Sequence, residues 1–210
     1  MSGWPIEGAA IDAADRERQR ILAAFVELVA EGGLKEATAT VAITRAGTLP
    51  GSFERHFADP EECFEVAWDG LEAAYLERLE AAYGGFDEWR ERFRAASAET
   101  VRLAEAHPVW TRFLTVASLG AGELGRRRQR ALGQHLADLL DTAREQIDDP
   151  KAVPAVTSRW ILGIFFDRLY RRFAAREGPD LVSQLPELRF LAVSGYFGIE
   201  AGLEELDLQP

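Results

Sequence analysis

The chain has 210 residues, 47% of them hydrophobic and 28% charged, with one cysteine and a formal net charge of −11. That composition excludes global disorder, an internal disulfide framework and a cysteine-rich zinc site, while the length suits one large domain or a small one joined to a larger. The N-terminal stretch MSGWPIEGAAIDAADRERQR has no basic segment leading into an apolar one, and the most apolar run, Trp160 to Phe166, is far too short to cross a bilayer. No signal peptide and no membrane partner are expected, and a reducing cytoplasm fits the single Cys63.

No stretch alternates apolar and polar residues with a period of two, so the expected fold class is all-α. A first helix is predicted over about 15–31, with Ile21, Phe25, Leu28 and Val29 on one face and Gly32-Gly33 as its stop. A short second helix follows over about 39–46, with Thr38 as N-cap and Gly47 as terminator. The third begins near Pro50 and ends around Phe57. The fourth has a strong start, in which Asp59 caps, Pro60 takes the first helical position and Glu62 completes a capping box. Its apolar face runs through Phe64, Trp68, Leu71, Tyr75 and Leu79 to Gly84-Gly85. Further helices are predicted at about 87–105, 109–118, 122–147, 153–175 and 184–205.

The second and third helices are joined across Gly47-Thr48-Leu49, the pattern of a helix-turn-helix over residues 38–57. Gly47 permits a sharp turn, Pro50 presets the next helix, and Phe53 and Phe57, four apart, anchor that helix to a core. The opposite face, with Ser52, Arg55 and His56, is expected to be free to meet a groove.

Residues 15–75 resemble the N-terminal module of TetR-family transcriptional regulators. The resemblance is carried by Ile21-Leu22-Ala23-Ala24, Glu31-Gly32-Gly33-Leu34, Arg45-Ala46-Gly47, and above all Pro50-Gly51-Ser52-Phe53 with Arg55-His56-Phe57. It implies a homodimer whose 15–75 module binds a double-stranded DNA operator, with a flexible arm over 1–14. Residues 76–210 would hold a small-molecule effector and the dimer interface. It also implies a transcriptional regulator, expected to be a repressor. His56, His107 and His135 show no ligand spacing and no catalytic motif occurs, so no catalytic residues, no metal and no cofactor are expected. DNA contacts are expected from Arg16, Arg18, Arg20, Thr38, Arg45, Thr48, Leu49, Pro50, Gly51, Ser52, Glu54, Arg55 and His56.

Four features depart from the family pattern. Glu54 stands where a phosphate-contacting tyrosine is common, Pro60 where a lysine is frequent, and Leu49 where a capping hydroxyl is usual. Ala42 and Ile43 invert the usual order of a large and a small apolar residue. A carboxylate about 6 Å from a phosphate costs ~0.7 kcal/mol at water's dielectric and ~3 kcal/mol at an effective dielectric near 20. Specific protein–DNA affinities correspond to roughly 11–15 kcal/mol, so one such residue per half-site weakens binding without forbidding it. Residues 15–57 carry six acids and six bases, whereas 58–83 carry eight acids and Arg78 alone. The alternative reading is therefore a ligand-sensing or interaction protein of the same fold with weakened DNA binding.

In the C-terminal region the expected effector pocket is lined by Trp89, Phe93, Trp110, Phe113, Leu114, Trp160 and Phe165. The alternative for each is plain core. The expected dimer face comprises Ile161, Ile164, Leu169, Phe173, Leu191, Gly195, Tyr196, Phe197, Gly198 and Ile199, where small residues would let backbones approach. The run Arg126, Arg127, Arg128 and Arg130 fits an anionic effector, ion pairs with the acidic fourth helix, or a solvated face with Glu123 pairing Arg127.

Overall fold

A computed structural model of the chain describes residues 13–175 and 180–208; the expected N-terminal arm falls, as far as residue 12, outside the described residues. The described secondary structure is helical throughout, without a strand. None of the described helices is long and apolar enough to cross a membrane. The chain forms two compact units, one built from residues 13–74 with 107–129, the other from 75–106 with 130–175 and 180–208.

The first unit is built around α1 (Ala13–Gly32), which buries Ile21, Leu22, Phe25, Val26, Leu28 and Val29. Next comes α2 (Ala39–Ala46). Thr38 caps it, its side-chain oxygen accepting from the Val41 N–H, and Gly47 ends it in the left-handed conformation at φ 62°. The third helix, α3 (Ser52–His56), starts two residues later than Pro50, because Pro50 and Gly51 are consumed by the turn. Phe53 and Phe57 anchor it as expected, both buried with ring centroids 5.3 Å apart. At the start of α4 (Pro60–Tyr83), the Asp59 carboxylate accepts from the Glu62 N–H at 2.8 Å, and Glu62 reaches back to the Ala58 N–H.

A second stretch of chain completes this unit. It comprises α6 (Pro108–Arg112), a π-helical turn over Phe113–Ala117, α7 (Ser118–Gly120) and the beginning of α8 (Gly122–Asp141). Fully buried Phe113 lies 5.0 Å from the Phe64 ring and 6.3 Å from Trp68. A π turn leaves carbonyls out of the regular ladder. Gln129 takes up that role, donating from Nε2 to the carbonyls of Leu114 and Thr115 and to the Ser118 hydroxyl.

In the second unit, α5 (Trp89–Ala106), α10 (Leu185–Phe197) and the later part of α8, with Leu132, Leu136, Ala137 and Leu140, supply most of the core, and α9 (Thr157–Tyr170) adds Ile161. The single helix expected over 184–205 is two, because Gly198 adopts φ 90°, ψ 164° and separates α10 from α11 (Ile199–Leu206). Glu205 on α11 is buried and tied to α5. It accepts from Arg90 at 2.9 and 2.7 Å and from Arg94 at 2.7 and 2.8 Å. A second polar node joins α10 to the end of α8. There Asp141 accepts from the Tyr196 hydroxyl at 2.8 Å and from Ser158 at 3.0 Å.

Candidate nucleic-acid interface

The polar face of α3 is occupied from within the first unit. Glu17, one turn into α1, accepts from Arg55 Nη2 at 2.9 Å and from the Ser52 hydroxyl at 3.1 Å, and lies 3.0 Å from His56 Nε2. Arg55 also donates to Ser52 at 2.8 Å. Arg55 foremost, then His56, hold the Glu17 carboxyl down at about 2, well below its ordinary value, so it is ionised at every physiological pH. The expectation that Ser52, Arg55 and His56 are free is corrected accordingly: Ser52 is fully buried and the His56 side chain is only 12% exposed.

The other expected contacts are placed as follows. Thr38 caps α2, and Thr48 donates from both its backbone N–H and its hydroxyl to the Ile43 carbonyl. Arg45 pairs with Glu31 at 2.8 Å. Arg18 lays its guanidinium over the Phe57 ring, 5.4 Å from the centroid, while Arg16 and Arg20 are exposed. Leu49, Pro50, Gly51 and Glu54 all face solvent, Leu49 at 71% exposure. The outward surface of the turn and α3 thus offers an apolar tip and a carboxylate, flanked by two arginines already engaged by acids.

The arginine run on α8 also finds partners inside the first unit. Arg127 reaches Glu65 at 2.5 Å and Arg128 reaches Asp69 at 2.7 Å, while Arg126 pairs with Glu123 at 3.1 Å. Glu65 and Asp69 of α4 are therefore paired by α8.

Of the residues expected to line an effector pocket, the second unit brings Trp89, Phe93 and Phe165 together. Trp89 stacks on Phe93 at 5.1 Å, and Phe165 meets Phe93 edge-on at 6.0 Å. Tyr196 and Phe197 also meet Trp89, at 5.2 and 5.5 Å. Trp110, Phe113 and Leu114 belong to the first unit, where Trp110 stacks on His107 at 4.1 Å. Trp160 stands apart at 64% exposure.

Of the expected dimer face, Ile161 and Tyr196 are buried within the chain, and Gly195 lies against Thr157 and Ile161 of α9. Ile164, Leu169, Phe173 and Phe197 are half-buried, and Gly198 is exposed. Leu191 and Ile199 remain exposed at 40% and 66%, joined by Leu203 and Leu206. Sequence reasoning missed Glu17, Gln129 and Glu205. Each is an ordinary polar residue on a helix, and only tertiary packing shows what it holds.

The fold is that of TetR-like transcriptional regulators. The fatty acid degradation regulator FadR from Bacillus halodurans superposes with a TM-score of 0.74 at 13% identity, covering 86% of this chain and 96% of its own. The transcriptional regulator FadR from Bacillus subtilis, in complex with stearoyl-CoA, gives 0.73 at 16% identity, with 84% and 97% covered. A protein assigned to the TetR family from Syntrophomonas wolfei gives 0.69 at 15% identity, with 85% and 93% covered. No protein-family model matches the sequence, and no curated protein is significantly similar to it.

Proposed function

We infer that this protein is a cytoplasmic, homodimeric transcriptional regulator that binds operator DNA through α2 and α3 and is released by a small-molecule effector. The observation that carries this reading is the capped helix-turn-helix, with Thr38 and Gly47 closing α2 and Phe53 and Phe57 anchoring α3, within a fold shared along most of the chain with regulators. The aromatic cluster around Trp89 and Phe93 is the apolar surface that an effector of the second unit would meet. The stearoyl-CoA bound by the Bacillus subtilis neighbour makes that molecule the first to assay. The exposed apolar side chains of α9, α10 and α11, Trp160, Leu191, Ile199 and Leu203, support self-association.

The second reading, a same-fold ligand-sensing protein with weakened DNA binding, is favoured by the internal pairing of Arg45 and Arg55 with acids. Selection of genomic fragments with the purified protein at low and moderate salt, in parallel with Glu54→Tyr, separates the two. Enrichment by the wild type supports the regulator. Enrichment by Glu54→Tyr alone establishes the weakened head instead.

A further inference from the structure

We propose that Leu49 is a specificity-determining residue that reads the 5-methyl group of thymine in the major groove, so that the operator is selected through apolar contact instead of through an arginine on guanine. This rests on the DNA-binding reading above. In a helix-turn-helix the residues that reach base edges lie at the start of the recognition helix. Here the turn that leads into α3 carries Leu49, three residues before Ser52 and the most exposed large hydrophobic among the described residues at 71%. Its backbone is held on both sides. The Leu49 carbonyl accepts from the Ser52 N–H at 3.1 Å, and the neighbouring Thr48 N–H is bonded to Ile43 at 3.0 Å. The side chain therefore projects from a fixed turn and not from a wandering loop.

The two arginines nearby are engaged. A bidentate contact to guanine needs a guanidinium with its edge free. Arg55 donates from Nη2 to Glu17 and Ser52, and Arg45 is paired with Glu31. Ser52 is buried beneath the helix. In the major groove guanine, adenine and cytosine present polar acceptors and donors, whereas thymine alone adds a methyl group. A leucine pressed on the polar edges would strip water from them and return no hydrogen bond. Against a thymine methyl it gains apolar contact. Pro50 beside it, also exposed, extends the same apolar tip.

The test replaces single thymines in a duplex enriched by the full-length protein with deoxyuridine, which removes only the 5-methyl group. At one position in each half-site, affinity is expected to fall about fourfold, the equilibrium equivalent of burying one methyl group. Leu49→Ala should weaken binding to the thymine duplex by a similar or larger factor and abolish the difference between thymine and uracil. Unchanged far-UV circular dichroism and melting of this exposed-site variant would exclude misfolding. If every uracil duplex binds like its parent, or Leu49→Ala still discriminates between the two, the inference falls while DNA binding stands. If the wild type binds no duplex at all, both readings fall together.

Discussion

Replacing Glu205 by glutamine tests whether the C-terminal helix is secured by charge. Glu205 is 0% exposed and receives four hydrogen bonds from two guanidiniums whose side chains are 25% and 30% exposed. Removing one partner of a buried ion pair typically costs ~3–5 kcal/mol, because the remaining charge is left uncompensated. Arg90 keeps Glu204 at 2.8 Å, and both arginines retain some water, so the low end applies, about 3 kcal/mol. For a chain of this length that corresponds to a melting-temperature drop of about 6–12 °C. Thermal melts followed by circular dichroism at pH 7, with hydrogen exchange over α11, would read it. The acid limb gives a second readout. Burial acts to raise the Glu205 carboxyl, but hydrogen bonds from Arg94 and Arg90 outweigh it and hold the group below its ordinary value of 4.5. Its stabilisation is therefore complete above that value and is lost as pH falls below it. The variant should lack that part of the acid dependence. A drop of less than about 2 °C with unchanged α11 exchange would refute the reasoning.

Gly125→Ala should destabilise the first unit by at least about 2 kcal/mol, seen as a lowered melting temperature, because its Cβ would lie 1.8 Å from the Ser118 carbonyl oxygen; a wild-type melt would contradict the packing. Glu17→Gln should release Arg55 and His56 from α1, and on the DNA-binding reading the salt dependence of operator affinity should steepen by about one unit per half-site; an unchanged slope would mean that Arg55 stays away from phosphate. In the wild type the clasp is complete above the ordinary glutamate range and is lost only as pH falls towards about 2, so the Glu17 side-chain carboxyl ¹³C signal should show no protonation step as pH is lowered from 7 through the ordinary glutamate range. Trp160→Glu should shift the molar mass measured by light scattering from dimer to monomer, and an unchanged mass would remove α9 from the interface.

Much of the first unit was legible in advance. Thr38, Gly47, Asp59 and Pro60 act through their own backbone or the next turn, so their roles follow from local sequence. Phe53 and Phe57 follow from helical periodicity. The polar face of α3 was misjudged because its fate depends on Glu17, thirty-five residues before Ser52. Nothing in the composition of α1 marks that acid out from Asp15 or Glu27. The same limit applies to Phe113. At helical spacing beside Trp110 it reads equally well as pocket or core, and only its contact with Phe64 and Trp68 settles which unit it serves. Gly198 carried a mixed signal. A helix-breaking residue stood in an otherwise continuous apolar pattern, and the pattern prevailed in the reading although the glycine prevailed in the fold.

The first unit is not contiguous along the chain, since residues 107–129 return to it after the excursion through 75–106. A fragment cut after Ala74 would leave Phe64 and Trp68 without Phe113, the carbonyl of Ala30 without Arg112, and Glu65 without Arg127. The reading head therefore cannot be exchanged as a cassette by one crossover. A chimaera that keeps its own head must inherit the 107–129 strip with it, and shuffling by recombination would have to preserve three junctions at once, those after Ala74 and Gln129 inside a helix and that after Ala106 between two.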